Sequence, residues 1–193
     1  MGEPELEEYR QQFEEITSEA RILTEGLNEA RFNWRPAPDE WSIEECLAHL
    51  TMAGQWSVRA IEEAIQDARA QRLTGTGPFH YNALDRIVIS IAEPPVRLKF
   101  SSPARFVPVH GQPLTAIMPT FFHMQAQLNS LTERAEGLDL ARVKVATPMP
   151  VLKMSLGATF AHLAAHERRH MAQAKRVLAR MGAGAVAAHA SAE

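Results

Sequence analysis

The chain lacks the features that would connect it with an export route, a membrane or a nucleic acid. Its single cysteine, Cys46, rules out an internal disulfide, and residues 1–5 lack the basic and apolar pattern of an export signal. No apolar run approaches the roughly 20 residues that a membrane span requires. A net charge of -3, with no basic block, gives no electrostatic reason for nucleic-acid binding. We therefore expect a cytoplasmic protein that binds neither membranes nor nucleic acids.

What the chain does have is apolar residues at spacings of three and four, which indicate amphipathic helices. The predicted helices cover, in order, residues 4–30, 42–68, 114–137 and 155–182. Ser42 and Glu45 have the spacing of a capping box at the start of the second helix, and Ser155 is the predicted cap of the fourth. Residues 1–182 are predicted to form a single domain, and the small residues of 183–193 a disordered tail.

The stretch between the second and third predicted helices differs in kind. Residues 72–113 are rich in proline and glycine and show one short candidate helix, at 83–91. About forty such residues are far more than an ordinary helix connection, so they indicate a crossover or a lid. A long crossover lets the helices that it joins run parallel. The sequence therefore predicts an all-α fold, a four-helix bundle of up-down-down-up order, with too few strand-like stretches for a sheet.

Three histidines recur at every fourth residue in the fourth predicted helix: His162, His166 and His170. At about 100° per residue, His166 and His170 fall on the core side, one above the other, whereas His162 falls at the rim. Two imidazoles so placed can bind one metal ion. The alternative is that they are hydrogen-bonded structural histidines at the edge of the core.

A third ligand has to come from another helix. His49 is the one histidine on an apolar helical arc outside the fourth helix, and bundles build metal sites from facing helices. His162 is the substitute ligand if His166 points away. Three neutral imidazoles leave a coordination position open, which is typical of catalytic sites. Nitrogen ligands suit zinc, nickel, copper or iron, and their number does not choose among them. We expect zinc or nickel first, with iron, manganese or copper as alternatives.

Several further residues are candidates for the surroundings of this site. Gln173 can hydrogen-bond a ligand or a metal-bound water, and Trp56 can form part of the pocket wall. Glu167 can orient an imidazole and Arg169 can meet an anionic substrate at the rim, although both also fit surface ion pairs. Cys46 is either a soft ligand or nucleophile, or a small buried hydrophobe.

Two segments resemble a known family. The segment RPAPDEWSIEECLAHL at residues 35–50 resembles the entry to the second helix in the DinB-like (YfiT-like) metalloprotein superfamily, and HERRHMAQ at 166–173 resembles its closing motif. The resemblance implies the same bundle order, a divalent metal held by His49, His166 and His170, and a homodimer. Related members include transferases and isomerases that use a low-molecular-weight thiol. The additional His162 and the proline-rich middle depart from the family pattern.

The leading hypothesis for function is a metal-dependent enzyme acting on a small molecule, in which the ion activates a water or a thiol for hydrolysis or thiol transfer. A second hypothesis is a non-catalytic metal-binding or dimeric interaction module. A third is that no metal binds and the histidines are structural. An open coordination position facing a cavity favours the first hypothesis, and a closed site favours the second.

Overall fold

The computed structural model describes residues 3–95, 102–149 and 151–190, with side chains up to residue 182. The helices are α1 (Pro4–Thr24), α2 (Glu29–Phe32), α3 (Ile43–Ala70), α4 (Ala83–Ala92), α5 (Leu114–Arg134) and α6 (Leu156–Ala190). A 3₁₀ turn spans Ala104–Phe106, and the strands β1 (Lys144–Ala146) and β2 (Lys153–Ser155) form an antiparallel hairpin. In the part of the chain that is described, none of these helices is both long and apolar enough to cross a membrane.

The four long helices form the predicted bundle, in which α1 and α3 each pack against both α5 and α6. Arg134 near the end of α5 donates to Glu62 in the second half of α3, so these helices run parallel. The rings of Tyr9 and Phe160, early in α1 and α6, are 5.9 Å apart, and Glu19 and Lys175, further along the two helices, form an ion pair, so these two also run parallel. Arg180, late in α6, donates to Glu40 just before α3, while His166, earlier in α6, lies beside His49 further along α3, so that pair is antiparallel. The up-down-down-up order predicted from the sequence is therefore confirmed.

The bundle core is continuous and apolar. Its largest fully buried side chains come from all four long helices and from α2; they include Phe13, Phe32, Leu47, Ile61, Phe121, Leu128 and Phe160. Burial of such side chains contributes about 1.5–3 kcal/mol each before conformational entropy is counted. This rigid framework fixes the relative positions of α3 and α6, on which the histidines lie.

The element boundaries differ from the predictions at three places. The first helix ends at Thr24 rather than at residue 30, since Gly26 adopts a positive φ of 68° and terminates it. The last helix continues to Ala190, beyond Gly182, through an alanine-rich stretch of high helix propensity. The hairpin β1–β2 lies in the return before α6, where no sheet was expected.

The crossover contains the predicted short helix, α4, which packs against α6. Asn82 caps α4 by accepting a hydrogen bond from the Asp85 backbone N–H. The buried Asp85 carboxylate accepts a hydrogen bond of 2.6 Å from the Ser155 hydroxyl, the group predicted to cap α6. The crossover is thus fastened to the start of α6 and covers one side of the bundle.

Candidate metal centre

The start of α3 is fixed by the predicted capping box. The Ser42 hydroxyl accepts from the Glu45 N–H at 3.1 Å, and the Glu45 carboxylate accepts from the Ser42 N–H at 3.0 Å. This arrangement satisfies two backbone donors that a helix start would otherwise leave without partners. His49 follows on the first turns of α3, is only 3% exposed, and faces α6.

The structure brings His49 of α3 together with His166 and His170 of α6. One ligand nitrogen from each of the three lies within 4.8 Å of the others. The ring centroids are 4.6 to 5.1 Å apart, and the Nε2 atoms of His49 and His166 are separated by 3.2 Å. The three imidazoles that the helical period predicted to converge therefore lie together in the structure.

Two of the three rings are held in a defined tautomer. His49 Nδ1 lies 2.8 Å from the Phe106 carbonyl oxygen, and His170 Nδ1 lies 3.0 Å from the Gln173 amide oxygen. Since these oxygens only accept hydrogen bonds, both Nδ1 atoms donate, and in the neutral rings both Nε2 atoms keep their lone pairs. Such partners behind the rings are typical of metal-binding histidines.

The same surroundings keep the three imidazoles uncharged. Burial lowers the pKa of His49, and burial together with the neighbouring His49 lowers the pKa of His170 to about 3. Burial, and then the neighbouring histidines, lower the pKa of His166 well below its ordinary value. Neutral imidazole is the form in which histidine binds metals.

The residues present fit a divalent ion. Two nitrogens bound to a tetrahedral zinc at about 2.0–2.1 Å would be about 3.3 Å apart, close to the 3.2 Å between the His49 and His166 Nε2 atoms. His49 Nε2 carries a lone pair directed at His166 Nε2, so the contact is favourable only with a proton or a cation between them. The donor set, three imidazole nitrogens, suits zinc, nickel, copper or iron.

All three histidines lie in the wall of a cavity of about 460 Å³. This volume falls within the roughly 300–1,000 Å³ typical of small-molecule sites. The wall is contributed by α3, α4, α6, the 3₁₀ turn and the β1–β2 hairpin. The histidine cluster therefore faces an accessible space and is not enclosed on every side.

Four of the other predicted site residues lie at this centre. Trp56, His162 and Arg169 line the cavity, and Gln173 holds His170. The His162 ring is stacked on His166 with centroids 5.9 Å apart, and Arg169 donates to the Ile91 carbonyl of α4 at 3.0 Å. Since His166 points into the cluster, His162 is not needed as a substitute ligand.

Two predicted site residues lie elsewhere. Cys46 is fully buried in the core and is not among the described residues lining the cavity; burial raises the pKa of its thiol. Among the described residues, Glu167 neither hydrogen-bonds an imidazole nor forms a surface ion pair. It is 1% exposed and accepts a hydrogen bond of 2.8 Å from Gln125 on α5, and burial raises its pKa to about 8. Glu167 follows His166 directly in α6, and successive helical residues point about 100° apart, so its side chain points away from the histidine cluster.

Sequence reasoning missed two contributors to the centre. The Trp41 ring packs against His49 and stacks on His170, with centroids 5.0 and 5.7 Å away. Its position immediately before the α3 cap, two turns from His49, was the available signal. The Phe106 carbonyl that orients His49 comes from the irregular crossover, and no side-chain pattern marks a backbone acceptor.

A second group of potential ligands, Glu44, Glu45 and His110, lies at the start of α3. Here the Arg35 guanidinium already pairs with Glu45, and the Gly111 N–H donates to Glu44. A cation at this place would compete with Arg35 and would meet the positive end of the α3 dipole. The histidine cluster is therefore the better candidate for a metal centre.

Comparison with known proteins agrees with this architecture. The chain is 26% identical over 168 residues to the uncharacterized protein YuaE of Bacillus subtilis (strain 168), covering 84% of this chain and 94% of YuaE. The structure matches YfiT from Bacillus subtilis, described as a probable metal-dependent hydrolase with an unusual four-helix bundle topology. The TM-score is 0.60 at 13% identity, covering 92% of this chain and 87% of YfiT.

The likeness to YfiT, at this level of identity, is a likeness of fold. The sequence model of the DinB superfamily matches residues 12–174, a span that contains the core of all four long helices and the three clustered histidines. This chain therefore belongs to the DinB superfamily.

Proposed function

We propose that the protein is a metal-dependent enzyme in which His49, His166 and His170 hold one divalent cation, zinc or nickel first, with iron, manganese or copper as alternatives. The observation that carries the proposal is the meeting of three neutral imidazoles from two helices at the wall of a cavity. A non-catalytic metal module needs no cavity beside its ion, so this arrangement favours chemistry over storage or structure.

When bound, a divalent cation at this place supplies Lewis acidity, which lowers the pKa of a coordinated water or thiol. The protein's own contribution is to orient the imidazole rings and to cover them from outside. The Phe106 carbonyl and the Gln173 amide hold two rings with Nε2 directed inward, and Trp41 packs on both rings from outside. His162, also in the wall, offers an imidazole beside the centre as a proton acceptor.

The reaction is hydrolysis or thiol transfer on a small molecule. The description of YfiT as a probable metal-dependent hydrolase supports the first. The second rests on the resemblance to a superfamily with thiol-using members. The proposal that the protein is a homodimer rests on the resemblance to the superfamily itself. No Asp or Glu occurs among the described residues lining the cavity, so a carboxylate general base is not part of the wall in the described chain.

Metal analysis of untagged protein tests the proposal. We expect about one ion per chain in wild type and a large loss in His49→Ala and His170→Ala. His123→Ala is the matched control, since His123 is an exposed histidine on α5 that does not line the cavity. Equal metal content in all four proteins would refute the proposed centre.

The reaction class is tested separately on the metal-loaded protein. Ester hydrolysis and thiol addition to an electrophile are each measured before and after chelation, and again in His170→Ala. Activity that needs both the ion and His170 in one assay identifies the class. Activity that survives chelation unchanged would contradict a metal-dependent enzyme.

A further inference from the structure

The wall of the cavity is mostly apolar. Its aliphatic and thioether side chains include Val88, Ile91, Val145, Leu152, Met154 and Leu163. Transfer of a ligand's apolar surface to such a wall is favourable by about 25 cal/mol per Å². The polar groups of this lining are the histidines, Arg169 and a few hydroxyls, so the cavity combines a small polar part with a mostly apolar remainder.

The hydroxyl groups in the wall are largely engaged with the protein itself. Ser57 donates to the Ala53 carbonyl, Thr159 to the Ser155 carbonyl and Thr147 to the Leu152 carbonyl. A ligand rich in hydroxyl or amide groups would lose its hydrogen bonds to water here without replacing most of them, at about 1–3 kcal/mol for each group. The wall therefore disfavours sugar-like and strongly polar substrates.

Apolar surface continues outward from the cavity along α4. Ile91 lines the cavity and also a shallow hollow on α4, together with Ala83, Arg86, Ile87 and Ser90. Ile87 is 55% exposed, and Met149, also in the cavity wall, is 62% exposed. A chain that enters the cavity thus meets apolar contacts outside it as well as inside.

We propose that the substrate is an amphiphile: its polar reactive end reaches the three-histidine centre, and its aliphatic chain lies along the apolar wall and leaves past Ile91 over α4. This inference rests on the proposed function for the identity of the centre. The apolar path itself depends only on the described side chains. A polyhydroxylated thiol fits this cavity poorly, whereas an alkyl or acyl compound fits it along its length.

Binding of straight-chain carboxylates with four to twelve carbons tests the proposal, with calorimetry as the readout and a hexose as the polar control. We expect affinity to rise with chain length, by up to about fourfold for each methylene that is buried. The hexose should not bind measurably. Affinity that is independent of chain length, or hexose binding as tight as that of octanoate, would overturn the proposal.

A pair of variants tests the path over α4. Ile91→Asp should weaken binding of the longest chains at least tenfold and that of the shortest chains little. Ile22→Asp, a substitution of an exposed isoleucine on α1 away from the cavity, should change neither. Equal effects of the two variants would refute the exit past Ile91.

Each titration is run on metal-loaded and on chelated protein, so that the two proposals can fail separately. Chain-length dependence that persists after chelation supports the apolar path even if the metal analysis fails. Normal metal content with no chain-length dependence leaves the centre intact and refutes the amphiphile.

Discussion

At the scale of single residues, Glu44 and Glu45 show how position decides the energetics of identical side chains. Both are buried at the start of α3. Burial, opposed in part by the Gly111 N–H, raises the pKa of Glu44 to about 7. Burial would also raise the pKa of Glu45, but the Arg35 guanidinium and the Ser42 N–H outweigh it and hold this pKa below its usual range.

The raised pKa of Glu44 predicts a specific pH dependence. The folded state binds this proton more tightly than the unfolded state, so the associated stability is complete below about pH 4.5 and is lost as the pH rises through about 7. Glu44→Gln should therefore match wild type near pH 4.5 and exceed it by about 1–3 kcal/mol at pH 8. Urea unfolding at both pH values measures the difference.

Glu45→Gln is the control, because the pKa of Glu45 is shifted in the opposite direction from that of Glu44. A lowered carboxyl pKa contributes stability above the unfolded pKa, and that stability is lost as the pH falls through the folded value. Glu45→Gln should therefore lower the free energy of unfolding at pH 8. Two variants with the same response to pH would contradict this account of the α3 start.

Sequence reasoning predicted which side chains converge where helical geometry applied, and failed where it did not. His49, His166 and His170 were located because periodicity on two helices fixes which side chains face inward. Glu167 was misjudged, since its charge favoured the surface while its neighbour Gln125 on α5 supplied the hydrogen bond that allows burial. That partner is 42 residues away, and no local pattern links the two.

At the scale of elements, the start of α6 is packed too tightly for any side chain at Gly157. A Cβ there would collide with the Tyr81 hydroxyl, and Tyr81 also contacts Glu5 and Tyr9 of α1. Gly157→Ala should destabilise the protein by about 1–3 kcal/mol. Thermal or urea unfolding measures the effect.

Two further variants test whether the collision with Tyr81 is what destabilises Gly157→Ala. Gly182→Ala lies in the same helix with open space around it and should stabilise by about 0.5–1 kcal/mol through helix propensity alone. Adding Tyr81→Ala to Gly157→Ala removes the obstacle, so the two substitutions should be non-additive. Additive effects would show that the collision is not what destabilises Gly157→Ala.

Element identity was more predictable than element ends. The capping box at Ser42 and Glu45 fixed the start of α3 within a residue, because its chemistry is local. The end of α1 and the end of α6 were misplaced, since Gly26 stops a helix that periodicity would continue and Gly182 does not stop one. The two glycines differ in backbone conformation: Gly26 adopts a positive φ of 68°, whereas Gly182 remains within α6.

At the scale of the whole molecule, the proposed ion joins α3 to α6 across the bundle, so its binding should stabilise the folded chain. With free metal at about 100 times its dissociation constant, linkage gives about 2.7 kcal/mol. For a chain of this size that corresponds to a rise in Tm of roughly 5–10 °C. Calorimetry with and without added zinc or nickel measures it, and His166→Ala should abolish the rise.

The bundle order followed from one long connection and two shorter ones, because a crossover of some forty residues permits parallel neighbours. A crossover or lid was expected here, but the position of α4 in the cavity wall did not follow from the sequence. It depends on contacts such as that between Asp85 and Ser155, which are seventy residues apart. Physical chemistry of the chain thus predicts the framework better than the cover that shapes the cavity.

The exposed loop at 76–78 lies between His49 and the other two clustered histidines in the sequence, so cleavage there would divide the cluster between two fragments. One piece carries His49, while the other carries Phe106 and both His166 and His170. Cleaving this loop and separating the fragments would leave neither piece with all three proposed ligands, whereas recombining the fragments would bring the three together again. Metal binding would then show that the two fragments have reassembled, with no antibody or enzymatic assay required.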